Sequence, residues 1–257
     1  MYHANKIIIN ADGFGYSATT NEAIVRSFQL GLITSTSLMT NMPGFEDAVR
    51  LVREHPFFWE KVGLQLNLTE GNPLSTAIRQ CKRFCHPSGY FIYNRQRPLV
   101  FLSNREKKAV YKELKAQLDR ILSAGIRPSH LDSHCHIHTE WAISKLVARL
   151  GRTHGIGKIR LTRNMGLQLA GPKMVYRQVC NRYLKGSAGI TTTDYFGDIH
   201  DWYFLQLTHP PAGKNIEIMV HPLFNEGGEL VDGDLRDLQE QLEPVIDHHN
   251  TISYSEL

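Results

Sequence analysis

The chain has 257 residues, 42% of them hydrophobic and 21% charged, with a formal net charge of +4. Those proportions belong to a soluble globular protein with a core large enough to need no disulfides, and no apolar run approaches the roughly 20 residues of a membrane span. The basic residues are scattered instead of forming a stripe with interleaved aromatics, which argues against nucleic-acid binding, and four dispersed cysteines do not make a disulfide framework.

A short polar lead runs into Lys6-Ile7-Ile8-Ile9-Asn10, which reads as a first strand and not as a signal peptide, so a cytoplasmic location is expected. A helix follows over Thr20 to Leu30, closed by Gly31, then a strand over Thr34 to Met39, a helix over Phe45 to Glu54 and a strand over Val62 to Asn67. Residues 71–103 carry Gly, Pro, Arg and aromatics with little periodicity, and read as a loop insertion over one end of the fold. Next come a helix over Asn104 to Ser123 closed by Gly125, a strand over Ser129 to Asp132, and a helix over Glu140 to Leu150 closed by Gly151, with Asn104 and Thr139 as N-caps. A strand over Lys158 to Leu161 precedes residues 164–191, whose helical pattern has no clear boundaries. Strands over Thr192 to Phe196, Ile216 to Val220 and Thr251 to Tyr254, with a helix over Asp234 to His248, complete the chain. Strands alternating with helices predict an α/β fold, a distorted, TIM-barrel-like (β/α) barrel forming a single domain over residues 1–257. In such folds the active site gathers at the carboxyl ends of the strands.

The chemistry concentrates in His130-Leu131-Asp132-Ser133-His134-Cys135-His136-Ile137-His138, where four imidazoles and a carboxylate alternate with small or apolar residues. If the segment is extended, all five point to one face. Neighbours then sit about 6 to 7 Å apart and the row spans about 26 Å, so at most two or three can share one ion. Imidazole and carboxylate suit zinc and other first-row divalent metals and raise the expectation of a metal-dependent hydrolase; the plainer reading is a strand end with solvated histidines. Asp12 follows the first strand beside Gly13 and Gly15, placed for base or ligand duty or as a turn residue capping the next helix. Gln65 and Asn67 point the same way from the third strand, and His221-Pro222 adds an imidazole at the end of the strand over Ile216 to Val220.

In this order, the segments Ile9-Asn10-Ala11-Asp12-x-Phe14-Gly15, Gly31-x-Ile33-Thr34-Ser35-Thr36-Ser37-Leu38-Met39, Asn41-Met42-Pro43, Val62-Gly63-Leu64-x-Leu66-Asn67-Leu68-Thr69-Glu70-Gly71, Pro128 to His138 and Val220-His221-Pro222 resemble the YdjC family of carbohydrate deacetylases, also called the ChbG/HpnK family. The resemblance implies a distorted barrel that hydrolyses the N-acetyl group of an amino sugar, or of a saccharide containing N-acetylglucosamine, with one divalent metal, zinc or magnesium. It makes Asp12 the general base and His134 a metal ligand, but the family's other two ligand positions hold Gly13 and Gln65 here. A neutral amide oxygen is a weaker ligand than imidazole, and the charge-balancing aspartate is gone.

Three outcomes follow. The metal site is rebuilt from Asp12, His134 and one of His136, His138 or His221, with His221 protonating the leaving amine; or the chain is a catalytically impaired relative that binds a sugar without turnover; or Asp12 and a histidine run metal-free acid/base chemistry. The cofactor expectation is therefore a divalent metal, held weakly or not at all. Asp132 resembles a residue that orients a ligand imidazole, the alternative being a buried aspartate satisfied by backbone amides. Arg160, at the end of the fifth strand, would meet a substrate hydroxyl or carboxylate, or form a surface ion pair. The expected partner is an acetylated amino sugar or oligosaccharide, with no nucleic acid and no membrane span, and with a homodimer left open.

Overall fold

In the computed structural model, which describes residues 4–94, 98–166, 172–248 and 250–257, the chain runs β1 (Lys6–Phe14), α1 (Ala18–Gln29), β2 (Ser35–Leu38), α2 (Phe45–Glu54), β3 (Val62–Leu66), a one-turn α3 (Thr76–Arg79), α4 (Asn104–Ser123) and β4 (Leu131–Ser133). It continues through α5 (Trp141–His154), α6 (Pro172–Gly186), β5 (Tyr195–Asp198), α7 (Ile199–Thr208), β6 (Asn215–Val220), a β7 (Leu223–Phe224) and β8 (Leu230–Val231) ribbon, α8 (Leu238–His248) and β9 (Asn250–Thr251). The main sheet has the order β4-β3-β2-β1-β6-β5, all parallel, with β9 beside the start of β1. Parallel neighbours need crossover connections, and the helices supply them.

Between β4 and β5 an irregular segment takes the place of a strand. Leu131 N donates to Lys158 O at 2.9 Å, Arg160 N to Leu131 O at 3.0 Å, and Asn164 N to Phe196 O at 3.0 Å. These bonds carry the sheet from β4 round to β5, and the architecture is the expected distorted α/β barrel. Among the described residues no helix is long and apolar enough to cross a membrane.

β1 explains how the barrel acquires both a core and a polar centre. Ile7, Ile8 and Ile9 are all fully buried, as a central parallel strand covered on both faces requires. Ile7 and Ile9 join the large outer core against the helices, whereas Ile8 packs inward with Ile252 and Tyr254. Side chains two apart share a face, so the face of Ile8 continues through Asn10 and Asp12. The barrel interior therefore begins apolar and turns polar toward the strand carboxyl ends.

Several expected boundaries move for identifiable reasons. The α4 cap is Ser103, one residue before Asn104: its hydroxyl accepts from Glu106 N, and the Glu106 carboxylate accepts from Ser103 N, a capping box. The α5 cap is Glu140, not Thr139, and the helix passes through Gly151 to stop at Gly155, which adopts a φ of 70°. Gly151 serves packing instead, since a Cβ there would lie 2.5 Å from Ile156 O. The strand expected at Lys158 to Leu161 is reduced to isolated bridges at Lys158 and Ile159, and the one at Thr251 to Tyr254 to the two residues of β9. The region 71–103 holds α3 and an isolated bridge between Cys85 and Phe91, and Glu113 of α4 anchors it by accepting from Leu74 N and Ser75 N at 3.0 and 2.6 Å.

Gly63 of β3 shows how tightly the interior is filled. The buried His130 ring stacks on Tyr254, centroids 3.7 Å apart, and a Cβ on Gly63 would lie 2.2 Å from His130 Cε1. Gly63→Ala is expected to destabilise the fold by about 1–3 kcal/mol through this overpacking, read as a lower urea midpoint with an unchanged m-value.

Candidate active site

One guanidinium organises the centre of the barrel. Arg160 is fully buried and reaches three carboxylates on three strands: Nη2 to Asp12 Oδ1 at 2.7 Å and Nη1 to Asp12 Oδ2 at 2.8 Å, Nη1 to Asp132 Oδ2 at 2.7 Å, and Nε to Glu217 Oε1 at 2.7 Å. The planar fork fits Asp12 bidentately, which a lysine could not reproduce. Ser37 Oγ also donates to Asp132 Oδ2 at 2.9 Å, and Tyr254 Oη to Glu217 Oε2 at 2.5 Å. The sequence-based alternatives for Arg160, a substrate contact or a surface ion pair, give way to an interior ion network, because its side chain points into the barrel from the segment that joins β4 to β5.

Three buried carboxylates around one cation cannot all ionise cheaply. Burial alone would raise the Asp12 carboxyl, but the Arg160 guanidinium outweighs burial and holds it well below the ordinary range. The converse holds for Asp132: burial raises it well above its usual value more than Arg160 lowers it, and the like charges of Asp12 and Glu217 add to the rise. Burial likewise raises Glu217. Asp132 Oδ1 has no hydrogen-bond partner among the described residues.

Gly13 and Gln65, at the two substituted family positions, are bonded to each other. Gln65 Oε1 accepts from Gly13 N at 2.9 Å, and Gln65 Nε2 donates to Asp12 Oδ2 at 2.7 Å. Asn10 Nδ2 donates to Asp12 Oδ1 at 2.9 Å. With two donors on each oxygen, Asp12 has its lone pairs occupied. This donor set does not fit a divalent ion: Gly13 offers no side chain, the only acceptor of Gln65 is engaged, and among the described residues no group of three His, Cys, Asp or Glu is arranged to hold a metal.

The histidine row does not extend along a strand. β4 ends at Ser133, and a 3-10 segment over His134–Thr139 follows in which Cys135 and His136 both take positive φ, 49° and 53°. Two successive left-handed residues turn the chain and scatter the side chains. His130 and Asp132 stay inside the barrel, and burial together with Arg160 holds His130 well below its ordinary pKa, hence neutral. His138 is buried, its Nδ1 2.5 Å from Ser133 Oγ and its Nε2 3.1 Å from Arg160 O, so it supports the segment that carries Arg160. His136 sets its ring edge-on to Phe196, centroids 5.5 Å apart. His221 stands exposed just past β6, its backbone N donating to Asp232 Oδ1 at 2.5 Å, and the charges of His221 and His136 both act on Asp12.

His134 turns outward to the rim. Its Nε2 lies 3.2 Å from Glu70 Oε2, and Glu70 Oε1 accepts from Tyr16 Oη at 2.7 Å. Burial pulls the imidazole down, but its hydrogen bond with the Cys135 thiol and the Glu70 charge raise its pKa overall. Beside this pair lies a cavity of about 320 Å³, lined by Thr69, Glu70, Ile92, Tyr93, Asn94, His134 and Cys135. Sequence reasoning passed over Glu70, Tyr16 and Glu217. Glu217 had a signal, a lone carboxylate within the apolar run Ile216 to Val220; Glu70 stood inside a family-like segment, but nothing paired it with Tyr16, 54 residues away.

Breaking the central network exposes its cost. Arg160→Met leaves buried carboxylates without their cation, and the expected loss is about 3–5 kcal/mol of unfolding free energy, measured by urea denaturation near neutral pH.

Comparison with known proteins agrees with this architecture. The family described as YdjC-like protein matches residues 6–250. A carbohydrate deacetylase of Halalkalibacterium halodurans is 32% identical over 241 residues, 91% of this chain and 94% of that protein. Another, of Brevibacillus brevis, is 38% identical over 220 residues, 85% of this chain and 82% of that protein. The crystal structure of a putative cellobiose-phosphate cleavage protein from Enterococcus faecalis superposes with a TM-score of 0.75 over 98% of both chains, at 22% identity, and shows the shared fold. Matched along nearly its whole length, the chain belongs to the YdjC-like protein family.

Proposed function

We propose that this chain is a carbohydrate deacetylase that hydrolyses the N-acetyl group of an amino sugar held at the carboxyl rim of the barrel. The observation that carries the reading is the sustained match to carbohydrate deacetylases, 91% of the chain in one case. The rim supports it. The 320 Å³ cavity combines Thr69, Glu70 and Asn94, which can bond sugar hydroxyls, with the Tyr93 and Ile92 side chains, against which a sugar face can pack.

Amide hydrolysis needs a group to take a proton from water and a group to give one to the leaving nitrogen. Asp12 is ionised, but both its oxygens are saturated with donors, so its role is that of a fixed negative charge at the barrel floor. His134 is the proton carrier at the cavity, oriented by Glu70 in the manner of a carboxylate that steers an imidazole. Its raised pKa favours the donor form, suited to the departing amine. His221, an exposed second imidazole on the same rim, takes the proton from the attacking water as His134 gives one to the leaving nitrogen. The divalent ion that the family resemblance implies enters none of these steps, because the donor set here does not fit it.

The saturation of Asp12 favours a second reading, sugar binding without turnover. Incubation with N-acetylglucosamine oligosaccharides decides between the two. The deacetylase reading expects release of acetate and free amine in equal amounts, with Glu70→Gln and His134→Asn each lowering kcat by at least about 100-fold. Saturable calorimetric binding of the same oligosaccharides with no acetate released would replace it with the binding reading.

A further inference from the structure

The substitutions at 13 and 65 act as a matched pair. We infer that Gly13 and Gln65 close the divalent-metal position of this barrel, so that the centre works with the covalently attached cation of Arg160 and takes up no metal ion. Several independent features of the geometry converge on this.

The orientation of the Gln65 amide is fixed from both ends. Its oxygen faces a backbone N–H that can only donate, and its nitrogen faces an ionised carboxylate that can only accept. Turning the oxygen toward a cation would set NH2 against the Gly13 N–H and oxygen against the Asp12 carboxylate, two repulsive contacts in a site that is 1% exposed at Gln65. The amide is therefore unavailable as a ligand, and it holds Asp12 in place as well.

Asp12 is committed for the same reason. Receiving a metal ion would require it to shed at least one of four donors, two of them from the bidentate guanidinium at 2.7 and 2.8 Å. Charge points the same way: without an aspartate at 13, a dication would enter beside a buried guanidinium with no added counter-charge. The remaining ligand of the family set, His134, is turned onto Glu70 at 3.2 Å.

Space does not close the site; chemistry does. A Cβ on Gly13 would meet only Thr20 Cγ2, at an ordinary 3.7 Å, although the φ of +90° disfavours any side chain there. A Cβ at 13 thus has room: an aspartate there would keep the backbone N–H and add the missing counter-charge, and a histidine at 65 would remove both bonds of the Gln65 clamp.

Metal content provides the test, read without substrate so that it stands apart from acetate release. Wild-type protein equilibrated with excess zinc and desalted is expected to carry far less than one ion per chain by elemental analysis, and neither zinc nor EDTA should move its Tm. The double variant Gly13→Asp/Gln65→His is expected to retain about one zinc per chain, the norm for such a site, and to lose it again on adding His134→Ala. Near-stoichiometric zinc in the wild type, removed by His134→Ala, would overturn the inference. So would a folded double variant that stays zinc-free, because the pair would then not be what closes the site. If the double variant does not fold, the single Gln65→His change together with the wild-type measurement carries the decision: tighter zinc retention than wild type supports the inference, and equal retention overturns it.

Discussion

The architecture depends on placing one guanidinium at the centre of a parallel barrel. Arg160 bonds carboxylates from β1, β4 and β6, and so ties together strands that are not all neighbours in the sheet. Its backbone also closes the barrel, because its N–H pairs with Leu131 O in the gap between β4 and β5. One residue thus serves both the closure of the sheet and the charge balance of its interior. Apolar residues can often fill such a volume at no loss of stability, so cohesion alone does not require a buried ion network. What it fixes is the ionisation pattern: an anionic Asp12 beside carboxyls at 132 and 217 that burial raises.

The rim is built differently from the floor. Two consecutive positive-φ residues at 135 and 136 end the alternation of β4 and send three histidines to three destinations: His138 under the Arg160 segment, His136 against Phe196, and His134 to Glu70 at the cavity. Strain of this kind in residues other than glycine costs of order 1–3 kcal/mol each and persists only where the surroundings enforce it. Here the enforcement comes from Ser133, whose hydroxyl accepts from His138 N at 2.9 Å while contacting the His138 ring.

The barrel was legible because its signal is periodic and local. The Ile7-Ile8-Ile9 run, the amphipathic stretch over Phe45 to Glu54 and the helix of Asn104 to Ser123 each carry their own pattern, and the structure keeps both helices at those bounds and extends the strand to Phe14. The site was legible only as composition. The sequence identified Gly13 and Gln65 as departures but gave no sign of their bond to each other, since it joins positions 52 apart. Arg160 read as a substrate contact or a surface pair and Glu217 only as a lone carboxylate inside an apolar run, because the partner of a buried charge is recognisable only once it is placed. The histidine row misled for a related reason: nothing in Ser133-His134-Cys135-His136, with no glycine or asparagine, announces a left-handed turn.

A covalently tethered cation differs from a bound ion in one respect that shapes any chemistry here. A metal ion can exchange a water ligand for substrate, so the charge at the floor meets the reacting group directly. Arg160 is wholly enclosed and its bonds to Asp12 are bidentate, so its charge cannot be shared with a ligand without dismantling the interior. On the proposed reading, proton transfer falls to groups with both solvent access and an oriented partner, and His134 with Glu70 meets both conditions at the cavity. The floor then contributes through its field alone, a fixed anion at Asp12. The proposed deacetylase would thus run its chemistry at the rim and not at the barrel floor, with Thr69, Glu70, Tyr93 and Asn94 lining the cavity beside the His134 imidazole.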